Sequence, residues 1–399
     1  MNRKSLLLLS IGIFTVLTAT SADVRQRLTF DLDWKFKLCR DSSDVIQTLR
    51  TLGISDNPLS ATRHNAVTTK VTDDTEPEQA QVTASEITTC TTSGHTNLRQ
   101  GTFRNVQIPH DWSSELPFEP EMGGSAGYLA GGQGIYVKDF RLPASAYRQK
   151  KVRLHFDGVY HRATVWVNGQ RAGYHVYGYT GFGYDITPFL LSDGPNRIVV
   201  HVNREEQSRW YTGSGIYRHV WLDVTGPTHI KTDGVFVTTA DDGTVNIMTE
   251  IDTADADRDK RFIITNTILD TDGRTVNKVS EKWDTERPYL YTLVTRLKNS
   301  KGKVIDEVRT RFGFRDIRFD ADKGFFLNGK NMKLKGMCLH QDCGSLGTAV
   351  PEEYWERRLK ALKGIGCNAI RCSHNPPSTE FLDICDSLGL LVIDEAFDK

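Results

Sequence analysis

The sequence predicts a multidomain β plus α/β chain: a jelly-roll β-sandwich, an immunoglobulin-like β-sandwich, and then the start of a (β/α)8 barrel. Short strands punctuated by Gly, Asn and Asp turns run through residues 23–313, the pattern of all-β sandwiches. From Phe314 the order becomes strand, helix, strand, helix, strand, the opening of a parallel sheet with right-handed crossovers. Within it, Asn368–Lys399 reads as a short apolar run ending in Arg371, a loop with two prolines, a helix, and a second apolar run ending in Asp394-Glu395. Polar side chains at the carboxyl ends of successive parallel strands are where α/β barrels place their chemistry.

The N-terminus precedes the first strand with an address label. Arg3 and Lys4 lead into an apolar run from Leu6 to Leu17, and Thr20-Ser21-Ala22 offers small residues for cleavage. Residues 1–22 are therefore expected to be a signal peptide, giving a secreted or periplasmic protein, with an uncleaved anchor as the alternative. No other segment is long and apolar enough to cross a membrane, so no membrane association is expected once the signal is removed. At 399 residues the chain has room for two or three cores. Lys plus Arg and Asp plus Glu balance at 50 each, which leaves no basic field for a nucleic-acid partner.

Region one, 23–226, shows alternating runs at Gly134–Leu142, Val152–Phe156 and Ala163–Val167, the last followed by the hairpin turn signal Asn168-Gly169. Asn196–Val202 and His219–Val224 continue the series. Residues 41–101 interrupt it: Val45–Leu52 fits a short helix, and the threonine-rich remainder has no hydrophobic period and reads as a solvated insertion. Region two, 227–313, opens after Gly226-Pro227 and carries five strand candidates: Val235–Thr238, Val245–Ile251, Phe262–Leu269, Tyr289–Leu297 and Val304–Phe312. Five is short of the seven or so an immunoglobulin-like sandwich uses, and a strand pair is missing around Asn277–Lys282.

Region three, 314–399, turns at Asn328-Gly329 and sends a strand from Met332 to Met337 into Cys338-Leu339-His340-Gln341-Asp342. A helix follows Pro351, with Glu352 and Glu353 in its first turn and Trp355, Leu359, Leu362 and Ile365 as its buried stripe. Ser378 caps the next helix, whose apolar face is Phe381, Leu382, Cys385 and Leu388 and which ends at Gly389. Leu390–Ile393 then reads as a strand buried on both faces. Five of the seven cysteines (Cys338, Cys343, Cys367, Cys372, Cys385) fall here and fit small buried hydrophobes better than disulfides. Cys338, His340 and Cys343 lack the further ligand pair a zinc site needs, so neither a metal nor another cofactor is expected.

Taken in register, these runs resemble glycoside hydrolase family 2, most closely its secreted bacterial β-galactosidase-like members. The markers are Pro109-His110-Asp111-Trp112, Phe156-Asp157-Gly158-Val159, Val165-Trp166-Val167-Asn168-Gly169, and Gly178-Tyr179-Thr180 with Asp185-Ile186-Thr187. Trp210-Tyr211-Thr212-Gly213-Ser214-Gly215-Ile216-Tyr217-Arg218, Pro288-Tyr289-Leu290-Tyr291, Lys335-Gly336-Met337 and the run Asn368–Pro376 complete the set. The resemblance implies a retaining β-glycosidase acting on a β-linked glycoside, with two glutamates about 5 Å apart as acid/base and nucleophile.

In the family both glutamates lie on later barrel strands, the first in an Asn-Glu pair, and no such dipeptide occurs here. No catalytic residue is therefore assigned. The chain alone, expected to stop within the barrel, should lack hydrolytic activity. The resemblance makes His340 and His374 sugar contacts and Arg371 the arginine that orients the nucleophile; Asp342 and Asn375 are lesser candidates for the same subsite. Loop histidines satisfied by backbone, and a structural ion pair for Arg371, are the alternatives. Asp394 and Glu395 are read as structural carboxylates at the barrel end. Arg209 stands where several relatives carry an aspartate that reaches the sugar, which keeps a β-glucuronidase-type substrate open beside galactosides. A non-catalytic carbohydrate-binding protein using the jelly roll alone is the competing class, and a homo-oligomer is open for a longer form.

Overall fold

The computed structural model describes residues 24–55, 101–192, 194–205 and 208–396. The expected signal peptide and most of the threonine-rich stretch lie outside the described residues.

Region one builds a sandwich from β1 (Gln26–Thr29), β2 (Trp34–Cys39), β3 (Arg104–Val106), β4 (Gly132–Phe140), β5 (Lys151–Phe156), β6 (Ala163–Val167), β7 (Gln170–His175), β8 (Phe182–Asp185), β9 (Asn196–Arg204) and β10 (Val220–Thr225). A six-stranded sheet in the order β3-β2-β4-β9-β6-β7 packs on a four-stranded one in the order β1-β10-β5-β8. Asn168 and Gly169 take φ 50° and 79° between β6 and β7, the left-handed pair that a two-residue hairpin requires. Between the sheets lies a core that includes Trp34, Phe36, Tyr136, Leu154, Phe156 and Val200.

Helix α1 (Ser42–Thr51) covers the outer face of the larger sheet, where Val45 and Leu49 meet Ile135, Val137, Trp166 and Val199. For this reason the alternation expected over Gly134–Leu142 gives way to continuous burial from Gln133 to Lys138. Tyr136 faces the sandwich while its neighbours face the helix. A single helical turn, α2 (Ala144–Tyr147), leads into β5.

Region two contains β11 (His229–Thr239), β12 (Val245–Asp252), β13 (Phe262–Leu269), β14 (Thr275–Val276), β15 (Leu290–Asn299) and β16 (Val304–Gly313). A β11-β12 ribbon faces the sheet β14-β13-β15-β16, and Val235, Val237, Val245 and Ile247 close over Val279, Leu293 and Phe312. Over 277–282 the chain forms no strand; Ser280 and Glu281 donate their N–H groups to the Tyr291 hydroxyl at 3.2 and 2.9 Å.

Region three begins with a small antiparallel sheet, β17 (Ile317–Asp320), β18 (Gly324–Leu327) and β19 (Lys330–Asn331). The barrel part follows as β20 (Gly336–Leu339), α3 (Glu352–Gly364), β21 (Ala369–Cys372), α4 (Thr379–Leu388) and β22 (Leu391–Ile393), with the strands parallel in that order. The first barrel strand thus starts four residues later than Met332. Helices α3 and α4 press Trp355, Leu359, Phe381, Ile384 and Cys385 onto Leu339, Ile370 and Cys372.

Three burial expectations fail. Ile365 is 72% exposed, because the chain has already left the helical face at the α3 C-terminus before turning at Gly366. Ile393 is 49% exposed, since β22 has a neighbour on one side only among the described residues. Cys338 is exposed while Cys343, Cys367, Cys372 and Cys385 are buried, and all five are free thiols.

Candidate functional site

Parallel pairing places Cys338 of β20, Arg371 of β21 and Ile393 of β22 in lateral register, so their side chains share one face of the sheet. The strand ends then carry the polar groups. Arg371 Nη2 lies 2.5 Å from Glu395 Oε1, and His374 Nδ1 lies 3.2 Å from Glu395 Oε2. Arg371 Nη1 also donates to Ser373 Oγ at 3.1 Å and to Cys338 Sγ at 3.6 Å. The Arg371 contact, with Ser373, draws the Cys338 thiol below its ordinary pKa.

His340, just past β20, meets His374 edge-to-face with ring centroids 5.2 Å apart. Burial pushes the His340 pKa down, so at neutral pH it is a neutral imidazole that can both donate to and accept from a hydroxyl. The third ring comes from region one. Trp210 lies 4.9 Å from His374 and 6.5 Å from His340, centroid to centroid. Its Nε1 donates to the Tyr179 hydroxyl at 3.1 Å, which fixes the indole. An aromatic face beside two imidazoles, an arginine and a carboxylate suits a pyranose: C–H surfaces stack on the indole while hydroxyls find donors and acceptors.

His340, Arg371 and His374 thus converge with Glu395. Asp342 stands apart from that ion pair; with His340, Arg357 and Arg358 it lines an open surface depression. Asn375 is 3% exposed, and its amide donates to Gln341 Oε1 and Pro376 O, both at 3.2 Å. It lines a narrow crevice, shared with His340, between Tyr217 and Arg218 of the jelly roll and Trp355 and Phe381 of the barrel helices. Gln341 Nε2 donates in turn to Thr212 O at 3.0 Å, so Asn375 braces the loop. Glu395 joins Arg371 and His374, and Asp394 is raised in pKa by burial. Among the described residues no group of three or more His, Cys, Asp or Glu could hold a metal.

Sequence reasoning did not bring Trp210 and Tyr179 into this cluster. Both stood inside quoted runs, but nothing in the spacing of either run reveals a contact across a domain boundary.

Three family models match the chain in tandem: the sugar binding domain of Glycosyl hydrolases family 2 over residues 80–226, Glycosyl hydrolases family 2 over 228–315, and the TIM barrel domain of the same family over 320–398. Among curated proteins, the chain is 41% identical over 326 residues to "Beta-galactosidase BoGH2A" of Bacteroides ovatus, covering 74% of this chain and 38% of that protein. It is 38% identical over 327 residues to a "Putative beta-glucuronidase" of Formosa agariphila, covering 76% of this chain and 31% of the relative. A solved β-glycosidase from Bacteroides vulgatus superposes with a TM-score of 0.73 at 32% identity, covering 93% of this chain and 44% of that one. The chain therefore spans less than half the length of these relatives. With all three family segments present in order, and the polar strand ends assembled as above, the chain belongs to Glycosyl hydrolases family 2.

Proposed function

We propose that this chain carries the sugar-recognition part of a retaining β-glycosidase acting on terminal β-linked sugars, with β-galactosides as the first substrate class. The observation that carries this reading is the meeting of Trp210 with His340 and His374 across the boundary between jelly roll and barrel. In this reading Trp210 offers the stacking face, the two histidines bind ring hydroxyls, and Arg371 with Glu395 forms the floor. Asp342 is a second-rank contact and Asn375 a brace. Units of 23–226, 227–313 and 314–399 divide the work, and residues 1–22 direct export to the periplasm or medium.

Retention requires two carboxylates about 5 Å apart, one protonated and one free to attack the anomeric carbon. Glu395 is engaged by Arg371 and His374 and acts as a strut. Catalysis by this chain alone is therefore not part of the proposal: sugar binding without turnover is. Calorimetry with galactose, paired with a nitrophenyl β-galactoside assay, tests it; saturable binding with negligible turnover is expected. Turnover at an ordinary enzymatic rate would overturn the assignment of Glu395, and absence of binding would overturn the subsite.

One observation favours a second substrate class. Arg209, exposed and next to Trp210 in the chain, is a cation of the kind that suits a uronate carboxylate. Tighter binding of glucuronate than of galactose, lost in Arg209→Gln, would select it.

A further inference from the structure

The Pro109-His110-Asp111-Trp112 run places a carboxylate that touches none of the sugar patch, yet is buried at 2% exposure. Asp111 Oδ1 accepts from the N–H groups of Ser113 at 3.1 Å and Ser214 at 2.9 Å. Oδ2 accepts from the Tyr211 hydroxyl at 2.7 Å and from Thr348 N and Oγ1 at 2.9 and 3.0 Å. A carboxylate has about four lone-pair sites, so these five donors saturate it. Tyr211 and Ser214 belong to the jelly-roll loop that follows β9, whereas Thr348 belongs to the loop between β20 and α3.

The approach is close enough to need glycines on both sides. A Cβ on Gly347, at φ 58°, would meet Asp111 Oδ2 at 2.3 Å, and one on Gly213, at φ 73°, would meet Thr348 Oγ1 at 1.9 Å. Neither distance is compatible with a side chain, and both φ values favour glycine. A second tie, Gln341 to Thr212 O, holds the same jelly-roll loop two residues from Trp210.

We propose that Asp111 is a positioning residue of the sugar site, fastening the first βα loop of the barrel to the loop that carries Trp210. It acts through Tyr211, which is adjacent in sequence to Trp210, and sets the indole against His340 and His374. This inference rests on the sugar-site reading above.

The test is a double-mutant cycle on sugar affinity with Asp111→Asn and Trp210→Ala, since groups acting through one another are non-additive. Asp111→Asn puts an amide N–H against donors and is expected to weaken binding about threefold, less than the loss from Trp210→Ala. Adding it to Trp210→Ala should cost little more than Trp210→Ala alone. Full additivity would overturn the proposal, because a merely structural aspartate would not lose its effect when the indole is gone. If Asp111→Asn fails to fold, Tyr211→Phe deletes one of the five donors and enters the same cycle. If the unmodified chain binds neither galactose nor glucuronate, the sugar reading fails. The positioning claim is then judged by Trp210 emission, taken as the difference from Trp210→Phe. A shift in Tyr211→Phe supports it, and an unchanged spectrum overturns it.

Discussion

Trp210 and Glu395 hold the two halves of the site by different means, and replacement should separate them. Trp210 is half-buried and its Nε1 is tied to Tyr179, so Trp210→Ala should lower the unfolding midpoint only modestly. Its main effect should fall on sugar affinity, about 1 kcal/mol or roughly fivefold, with Trp210→Phe recovering most of it. Calorimetry beside a denaturation curve reads both. Glu395 is a strut between Arg371 and His374, whose side chains are 41% and 26% exposed. Partly solvated ion pairs contribute little, so Glu395→Ala should change stability by about 1 kcal/mol at most. Sugar affinity should nevertheless fall, because Arg371 and His374 lose their common anchor; an unchanged affinity would remove Glu395 from the site.

Elements are stabilised by groups that sequence periodicity does not reveal. Strand β9 carries His201, 2% exposed, whose Nε2 lies 2.8 Å from the Gln133 carbonyl Oε1 and must therefore carry its proton there. Burial pulls its pKa from 6.5 to about 4. The unfolded chain takes up a proton first as pH falls, so the folded state loses stability from about pH 6.5 down to about pH 4 and levels off below. The full effect is roughly 3 kcal/mol. Urea midpoints at pH 7 and 4.5 should show this drop shrinking in His201→Gln. Helix α1 docks through another buried pair: Lys37 Nζ lies 2.7 Å from Asp44 Oδ1 and donates to Thr48 Oγ1 at 2.7 Å. Lys37 and Asp44 side chains are 10% and 4% exposed. Asp44→Ala leaves the ammonium buried beside one hydroxyl and should cost about 3 kcal/mol, whereas a paired Lys37→Met, Asp44→Leu replacement should cost much less.

Asn168-Gly169, the Ser378 cap and the Gly389 stop follow from local sterics and hydrogen bonding, so they were readable. Continuous burial in β4 was not, because the Val45–Leu52 helix is legible in the sequence while the sheet face it covers is not. The same holds for Asn375: its residue type suits a sugar contact, and only the geometry turns its amide toward Gln341.

At the scale of the molecule, the barrel strands rest on region two around one indole. Trp283, 2% exposed, packs with Phe325, Leu327, Ala369 and Leu391, and its Nε1 donates to Asp386 O near the end of α4 at 2.8 Å. Arg311 reinforces the contact by pairing with Asp383 at 3.0 Å, and Lys363 donates to the carbonyls of Thr285 and Gly389. Trp283 thus touches the side of the barrel sheet opposite to α3 and α4, which is otherwise the less covered face. Trp283→Ala removes that cover and leaves Asp386 O without its donor, at a cost of about 3–5 kcal/mol. The loss should be uneven. Strands β15 and β16 keep their ladder of antiparallel bonds, while β21, β22 and α4 lose the wall they lean on. Hydrogen exchange should therefore quicken at Ala369–Cys372 and across α4 while protection in β15 and β16 persists. Scanning calorimetry should resolve an early barrel transition ahead of the sandwiches. A single cooperative transition with uniform loss of protection would instead mean that the three regions fold as one unit, and that the Trp283 contact does not mark the joint between them.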